Sequence, residues 1–351
     1  MAIRKEPDTP AIGNAESARL ADLLEQVGVA VRSHVLKHRD VAGDSEDLGW
    51  MAGDTVFAID RKVEPGIVAA LREWPLQHGP LLVVAEGFGE DGTFLIGDEA
   101  QRPRLRLLID PIDGTRALMY DKRSAWFLAA IAPDQGDNTR LSDAVASVMV
   151  ELPTSKQGQS DSFACAVGAS PRGRRTRLDT GESYDLPFSP SSATTLKNGF
   201  AQVSNFFPGT KELASQLMEQ IAAKTIGAIE PGQAAIFDDQ YISTGGQMVE
   251  LMCGRDRFCC DLRPLFYDIM EKRLDHPVPH GLACHPYDIA GLPVAKAAGV
   301  ILTDAYGGVL DATFDTSTPI HWCGYANENL RRQIAPIIRD WLAGRMGDIA
   351  G

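Results

Sequence analysis

Apolar residues recur at helical spacing along several stretches of the chain. In the segment 16–38, leucine and valine return every three or four residues, which is typical of a long amphipathic helix. A shorter pattern follows Asp60, and Pro65 lies early enough in it to be tolerated in a first helical turn. Similar spacing predicts further helices over 210–224, 246–253, 266–270, 288–298 and 329–342.

Short apolar runs bounded by turn residues alternate with these helices and predict strands. The clearest two are 81–85 and 105–109, which lead directly into the acidic residues Glu86 and Asp110. Further runs predict strands over 125–132, 144–152, 162–167, 233–237, 257–262 and 299–302. Helices and strands mixed throughout the chain predict a layered α/β fold.

The chain shows one change of composition along its length. Residues 169–198 are rich in Ser, Thr, Arg, Pro and Gly, which predicts loops with an exposed hairpin. We therefore expect an N-terminal α+β subdomain over 15–198 and a C-terminal α/β subdomain over 199–345. Together the two are expected to form one catalytic unit.

The charge of the chain narrows the classes of partner. A formal net charge of -13 disfavours a nucleic-acid surface, because binding to the phosphate backbone needs a basic stripe. The same charge disfavours adhesion to anionic membranes, and no run of about 18 apolar residues predicts a membrane span. If the substrate is an anion, divalent cations held by carboxylates would reverse the local field.

Cysteine usage indicates a reducing compartment. The six cysteines include no C-x-x-C pair, which disfavours zinc-ribbon and thioredoxin-like sites. Cys259 and Cys260 are adjacent and poorly placed to form a disulfide with each other. Residues 1–16 lack the apolar core of a secretion signal. We therefore expect reduced thiols and a cytoplasmic location.

The sharpest chemical feature is the segment from Asp110 to Thr115, which reads D-P-I-D-G-T. Carboxylates at the carboxyl end of a strand lie where open α/β sheets bind ligands, and Mg²⁺ prefers oxygen ligands. Gly114 permits a close backbone approach, and the N–H groups of Gly114 and Thr115 at a helix start are suited to hold a phosphate. Asp-Gly alone is equally typical of an ordinary turn.

Three further acids occupy the ends of predicted elements. Glu86 follows a strand, whereas Asp60 and Asp288 stand at the starts of predicted helices. Each alone is equally typical of an exposed strand end or a helix cap.

Together with D-P-I-D-G-T, these acids resemble the motifs of the inositol monophosphatase-like family of metal-dependent, lithium-sensitive phosphatases. The segment 287–291 is similar to the family's W-D-x-A-G signature, Glu86 to its G-E-E motif, and 54–60 to its D-x-V-T-x-x-D segment. Order and spacing agree over roughly 15–343.

The resemblance implies an α-β-α-β-α sandwich, a homodimer, and two or three Mg²⁺ ions at the sheet ends. The implied metal ligands are the side chains of Glu86, Asp110, Asp113 and Asp288 and the carbonyl of Ile112.

The resemblance also implies roles around the reacting phosphate. Thr115 and Glu86 would orient the attacking water, and Asp60 would help to position it. Gly245, within a Ser-Thr-Gly-Gly segment, and Asp261 would contact the substrate.

The chain departs from the family pattern at several positions. Gly87 replaces the second Glu of G-E-E, Phe57 replaces a Thr, and Tyr287 replaces the Trp. Insertions near 153–198 and 264–284 alter the substrate side of the site. The alcohol part of the substrate therefore stays open.

We accordingly expect a Mg²⁺-dependent phosphomonoesterase that acts on inositol monophosphate or a similar polyol or sugar phosphate. Fructose 1,6-bisphosphate, a 3′-phosphorylated adenosine nucleotide and histidinol phosphate are alternatives. A nucleotide would need an aromatic or apolar slot, and a bisphosphate would need added basic residues, for which the Arg172–Arg177 run is a candidate. A non-catalytic regulator that binds metal or phosphate is the alternative of another class.

Overall fold

The computed structural model describes residues 12–38, 47–51, 54–71, 74, 79–88, 92–278 and 282–346. The side chains of 47–62, 64 and 346 fall outside that description. Asp60 therefore has a described backbone, but its side chain lies outside the described residues, as does that of Phe57.

Two helices precede the main sheet. Helix α1 spans Asn14–His38 and α2 spans Ala58–Leu71, with a two-stranded hairpin of β1 (Asp47–Met51) and β2 (Asp54–Phe57) between them. The predicted amphipathic pattern of α1 is confirmed, because its leucines and valines at helical spacing are buried against the sheet.

The main sheet has eight strands. They are β3 (Leu81–Ala85), β4 (Thr93–Ile96), β5 (Leu105–Asp113), β6 (Ala125–Pro133), β7 (Ala146–Leu152), β8 (Gln159–Ala166), β9 (Arg172–Arg177) and β10 (Ser183–Asp185). Their order is β10-β9-β8-β7-β6-β5-β3-β4, and β3 and β5 run parallel whereas the other neighbours run antiparallel. The central strands β5 and β6 are apolar and buried on both faces because other elements cover both sides.

The second sheet has four strands. They are β11 (Phe200–Val203), β12 (Asp256–Asp261), β13 (Ile301–Thr303) and β14 (Trp322–Tyr325), in the order β11-β12-β14-β13. The remaining helices are α3 (Thr115–Met119), α4 (Lys211–Ile226), α5 (Thr244–Met252), α6 (Arg263–Leu274), α7 (Leu292–Ala297) and α8 (Glu328–Met346), with 3₁₀ helices over Leu141–Asp143 and Tyr287–Ile289.

These elements stack as five layers. Helices α1 and α2 cover one face of the large sheet, α5 and α7 lie between the two sheets, and α4 and α8 cover the small sheet. One apolar cluster fills the space under α1 and α2, and a larger one fills the space between the sheets and beneath α8. The predicted α-β-α-β-α sandwich is confirmed. The division into subdomains 15–198 and 199–345 stays a prediction.

Two local predictions were wrong, and two strands were missed. Residues 233–237 form no strand, since Phe237 makes only an isolated bridge to Phe200. The helix expected over 288–298 breaks at Gly291 into the 3₁₀ turn and α7. Strands β11 and β14 were not predicted, because four-residue strands with polar or glycine positions leave little periodicity to detect.

Within the described part of the chain, no helix combines the length and apolar character needed to cross a membrane.

Candidate metal centre

The first two acids of the site leave the sheet at one edge. Strands β3 and β5 are parallel, with Ala85 paired to Ile109, so Glu86 and Asp110 follow at the same end. The Glu86 N–H also donates to the Ile109 carbonyl at 3.4 Å. Carboxyl ends of neighbouring parallel strands form the crevice in which α/β sheets bind ligands.

A bulge turns the second signature acid toward the first. Asp110 pairs with Leu128 and Asp113 with Trp126, so three steps on β5 face two steps on β6. Side chains three residues apart on a regular strand would point to opposite faces, and the extra residue cancels that alternation. Asp110 and Asp113 therefore reach one site.

Asp288 enters the same site from the 3₁₀ turn. One carboxylate oxygen from each of Asp110, Asp113 and Asp288 lies within 4.8 Å of the others. Asp288 Oδ2 accepts a hydrogen bond from the His285 N–H at 2.6 Å, and Ser147 Oγ holds the turn by donating to the Ala290 carbonyl at 2.7 Å. The sequence-predicted acids thus converge, although Asp288 is not the helix cap that its position suggested.

The Asp113 carboxylate lies in a cradle of donors at the start of α5. Oδ2 accepts from Ser243 Oγ at 2.8 Å and from the Gly245 N–H at 2.6 Å, and Oδ1 accepts from the Thr244 N–H at 3.1 Å. These bonds fix the carboxylate in its ionised geometry. The Ser-Thr-Gly-Gly segment therefore orients a site acid.

The turn after Asp113 requires glycine. Gly114 has a φ of 99°, and a Cβ there would lie 3.0 Å from the Ile242 carbonyl oxygen. It leads into α3, where Thr115 Oγ1 donates to the Ile112 carbonyl at 2.7 Å. That carbonyl has a second lone pair, so the bond is compatible with its predicted role as a ligand.

Crowding and burial disfavour ionisation of these acids. Burial raises the pKa of Asp110 well above its ordinary value, and the Glu86, Asp113 and Asp288 charges raise it further. Burial also raises the pKa of Asp288 well above its ordinary value, and the Asp113 charge raises it further. Burial raises the pKa of Asp113 to about 6, against the hydrogen bonds it accepts, first from Ser243. Such a cluster is stabilised by a bound cation.

A cavity of about 80 Å³ opens onto the cluster. Seven of the predicted site residues line this cavity, namely Glu86, Asp110, Ile112, Asp113, Gly114, Thr115 and Asp288. Arg116 lines it too, and sequence reasoning missed three further lining residues, Phe206, Phe207 and Arg263.

Two predicted substrate contacts lie behind the cavity wall. Asp261 binds the Arg263 guanidinium through both carboxylate oxygens, with Nε at 2.9 Å from each, and Gly245 touches Asp113. Among the described residues, neither lines the cavity. The sequence signal that could have identified Arg263 is its position two residues after Asp261, the acid at the end of β12.

The basic run on β9 serves other contacts. Arg172 pairs with Glu25, Arg175 with Asp161 and Arg177 with Asp179. None of the three lines the cavity at the acidic cluster. The run lies on an ion-paired strand next to the edge strand β10, with which β9 forms an antiparallel hairpin.

The same arrangement of layers occurs in solved structures. A gene product named inositol monophosphatase–fructose 1,6-bisphosphatase aligns with a TM-score of 0.60 at 13% identity, over 91% of this chain and 98% of its own. The chain has the inositol monophosphatase-like fold. The fold that the sequence motifs implied is therefore confirmed.

Two further structures extend this fold assignment. The extragenic suppressor protein SuhB of Bartonella henselae aligns with a TM-score of 0.59 at 17% identity, over 92% of this chain and 98% of its own. Fructose-1,6-bisphosphatase of Leishmania major aligns with a TM-score of 0.64 at 12% identity, over 93% of this chain and 95% of its own. Comparisons with protein-family models and with curated proteins found no match. At these identities the inositol monophosphatase-like fold is shared, and the activity must be argued from the site.

Proposed function

We propose that the chain is a Mg²⁺-dependent phosphomonoesterase of the inositol monophosphatase-like family. The observation that carries the proposal is the convergence of Asp110, Asp113 and Asp288 within 4.8 Å at the carboxyl edge of the large sheet. The acids come from two distant segments of the chain and line one cavity beside a glycine turn. The sequence motifs and the fold independently favour the same chemistry.

The donor set fits a hard divalent cation. All candidate ligands are oxygens, which magnesium prefers. They belong to the Ile112 carbonyl and to four carboxylates, those of Glu86, Asp110, Asp113 and Asp288. Burial first, and then the neighbouring negative charges, raise the pKa values of Asp110 and Asp288, and a bound cation would stabilise their ionised forms. When bound, two or three Mg²⁺ ions would neutralise phosphoryl charge and make water a better nucleophile near neutral pH.

The chain's own groups would then bind and orient the reactants. We assign the phosphate to the N–H groups of Gly114 and Thr115, which border the cavity at the first turn of α3. Thr115 Oγ1 donates its proton to Ile112, so it can accept one from the attacking water. Glu86 would hold the same water from the other strand end, and phosphate leaves without a covalent enzyme intermediate.

Three assigned roles change or stay open. We propose that Gly245 acts by holding Asp113, and Asp261 by holding Arg263, instead of touching the substrate. The positioning role of Asp60 stays a prediction.

The substrate would be a small phosphorylated metabolite. The candidates are inositol monophosphate or a similar polyol or sugar phosphate, a 3′-phosphorylated adenosine nucleotide and histidinol phosphate. The β9 arginines do not supply a second-phosphate site for fructose 1,6-bisphosphate at this cavity, because Arg172, Arg175 and Arg177 pair with acids away from it. No nucleic-acid polymer or membrane is proposed as a partner.

The cellular location and the oligomeric state are proposed from less direct observations. All six cysteines are free, which supports a cytoplasmic location. A homodimer is proposed from the family resemblance alone.

Phosphate release from a panel of small phosphomonoesters tests the proposal. We expect turnover with Mg²⁺, none with EDTA, and inhibition by Li⁺. Loss of turnover in Asp113→Asn would link it to this cavity. Saturable Mg²⁺ binding without turnover of any ester would instead favour the regulator.

A further inference from the structure

The cavity has an apolar wall that the metal-site chemistry does not use. Phe206 and Phe207 follow β11 and are half-buried, with ring centroids 5.9 Å apart at an interplanar angle of 79°. Both rings border the same cavity as the acidic cluster. Half-buried aromatic rings at a polar cavity present a surface that favours planar apolar groups.

Arg263 fixes this wall. Its guanidinium carbon lies 5.0 and 5.4 Å from the centroids of Phe206 and Phe207. Nε and Nη2 bind the Asp261 carboxylate, and Nη1 donates to the Leu282 carbonyl. The side chain is only 8% exposed, so it cannot swing away. All three guanidinium nitrogens thus make hydrogen bonds, and the side chain still borders the cavity.

The bonding pattern of Arg263 defines what it can offer a ligand. A guanidinium has five N–H groups, and these contacts use one on each nitrogen. Among the described residues, one N–H on each of Nη1 and Nη2 has no assigned acceptor. Because the Asp261 carboxylate neutralises its charge, Arg263 presents hydrogen-bond donors more than a net positive charge. That suits a neutral acceptor better than a second phosphate.

We propose that Phe206, Phe207 and Arg263 select an ester whose alcohol half carries a planar ring with a hydrogen-bond acceptor, as in a phosphorylated nucleoside. This inference rests on the proposed function and narrows its substrate class. The ring packs on the phenylalanines, and its acceptor binds the Arg263 N–H groups. Arg263 opens α6 immediately before the predicted insertion at 264–284, so the preference comes from a segment outside the signature motifs.

The test compares three esters, namely glycerol 2-phosphate, phenyl phosphate and adenosine 3′-phosphate. We expect kcat/KM to rise in that order, with roughly a 10-fold gain for a stacked ring. Phe206→Leu should lower the ratio of adenosine 3′-phosphate to glycerol 2-phosphate by about as much. Arg263→Lys should lower the ratio of adenosine 3′-phosphate to phenyl phosphate. The control Phe237→Leu, which alters an exposed aromatic pair with Phe200, should leave both ratios unchanged.

Equal kcat/KM for all three esters in the wild type, or unchanged ratios in Phe206→Leu, would overturn the inference and leave the phosphatase assignment standing. Equilibrium binding of the same esters gives the ratios without turnover. Selective binding of adenosine 3′-phosphate with no hydrolysis of any ester would contradict the proposed function alone. If Arg263→Lys does not fold, Phe206→Leu and Phe207→Leu still decide the outcome.

Discussion

Tyr287 Oη donates a hydrogen bond to Glu86 Oε1 at 3.3 Å, across 201 positions of sequence. Tyr287 Oη also lies 3.1 Å from His285 Nδ1. A hydroxyl has one proton, so the His285 nitrogen must be the donor in the second bond. Tyr287 and Gly87 are both departures from the family pattern, and both lie at Glu86. Gly87 has a φ of 72°, which a glutamate would adopt only with strain.

Tyr287→Phe should therefore weaken Mg²⁺ binding without unfolding the protein. Removing a hydrogen bond to a metal ligand typically lowers metal affinity about 10-fold or more. The Mg²⁺ concentration at half-maximal activity, together with calorimetry, measures the effect. Tyr184→Phe, an exposed tyrosine on β10, is the control. Equal Mg²⁺ affinity in Tyr287→Phe and the wild type would show that the hydroxyl does not position Glu86.

Two neighbouring site acids should respond differently to amide substitution. Asp113 accepts on both oxygens, so Asp113→Asn places an amide NH₂ against N–H or O–H donors and should destabilise the protein by roughly 1–3 kcal/mol. Asp110 accepts from the Ile112 N–H through Oδ1, and Asp110→Asn can keep that bond. Because it removes an acid whose ionisation the buried cluster disfavours, Asp110→Asn should raise the melting temperature of metal-free protein.

Both variants should lose most activity, by roughly 100-fold or more, since each removes a proposed metal ligand. Thermal melts in EDTA and phosphate-release assays in Mg²⁺ measure the two effects separately. A lower metal-free melting temperature for Asp110→Asn than for the wild type would contradict the account of charge crowding. Full activity in either variant would remove that carboxylate from the site.

Gly245→Ala should reverse the usual effect of alanine in a helix. Alanine ordinarily stabilises a helix by up to about 1 kcal/mol over glycine. At Gly245, however, a Cβ would lie 2.6 Å from Leu128 and 2.9 Å from Asp113 Oδ2. We expect a lower melting temperature and weaker Mg²⁺ binding. Gly344→Ala in α8 is the matched control, with open space around its Cβ, and should stabilise. Equal melting shifts in both variants would contradict the close contact.

Asp256 should make stability depend on pH. Burial, together with the Glu250 and Asp239 charges, raises its pKa to about 7. The folded state thus holds a proton that the unfolded state releases near pH 4, so stability falls as pH rises from about 4 through 7. Asp256→Asn removes this loss. Its advantage over the wild type should grow between pH 5 and 8, to on the order of 2 kcal/mol.

Chemical denaturation at several pH values measures that dependence. Glu219→Gln, at an exposed position of α4, is the control and should run parallel to the wild type. A constant difference between Asp256→Asn and the wild type across this range would show that Asp256 does not carry the effect.

The metal-binding half of the site could be predicted because it depends on local features. Strands that end in an acid, followed by a glycine turn, place Glu86, Asp110 and Asp113 with little dependence on distant packing. The fold followed from the same motifs and from alternating helices and strands.

The substrate half could not be predicted, because its contacts join distant segments. Asp261 was expected to contact the substrate, but Arg263 at the start of α6 binds Asp261 and lines the cavity in its place. Phe206 and Phe207 carry no sequence pattern that separates a cavity wall from an ordinary apolar core. Their position depends on the path of the chain after β11.

Calorimetric titration of Mg²⁺ into metal-free protein tests the central claim most directly, because it requires no knowledge of the substrate. The account predicts saturable binding of at least one ion in the wild type, weakened at least roughly 10-fold in Asp113→Asn. The control Asp185→Asn, at an exposed strand end on β10, should bind as the wild type does. Absence of saturable binding in the wild type, or equal binding in Asp113→Asn, would contradict the assignment of Asp110, Asp113 and Asp288 as a metal centre.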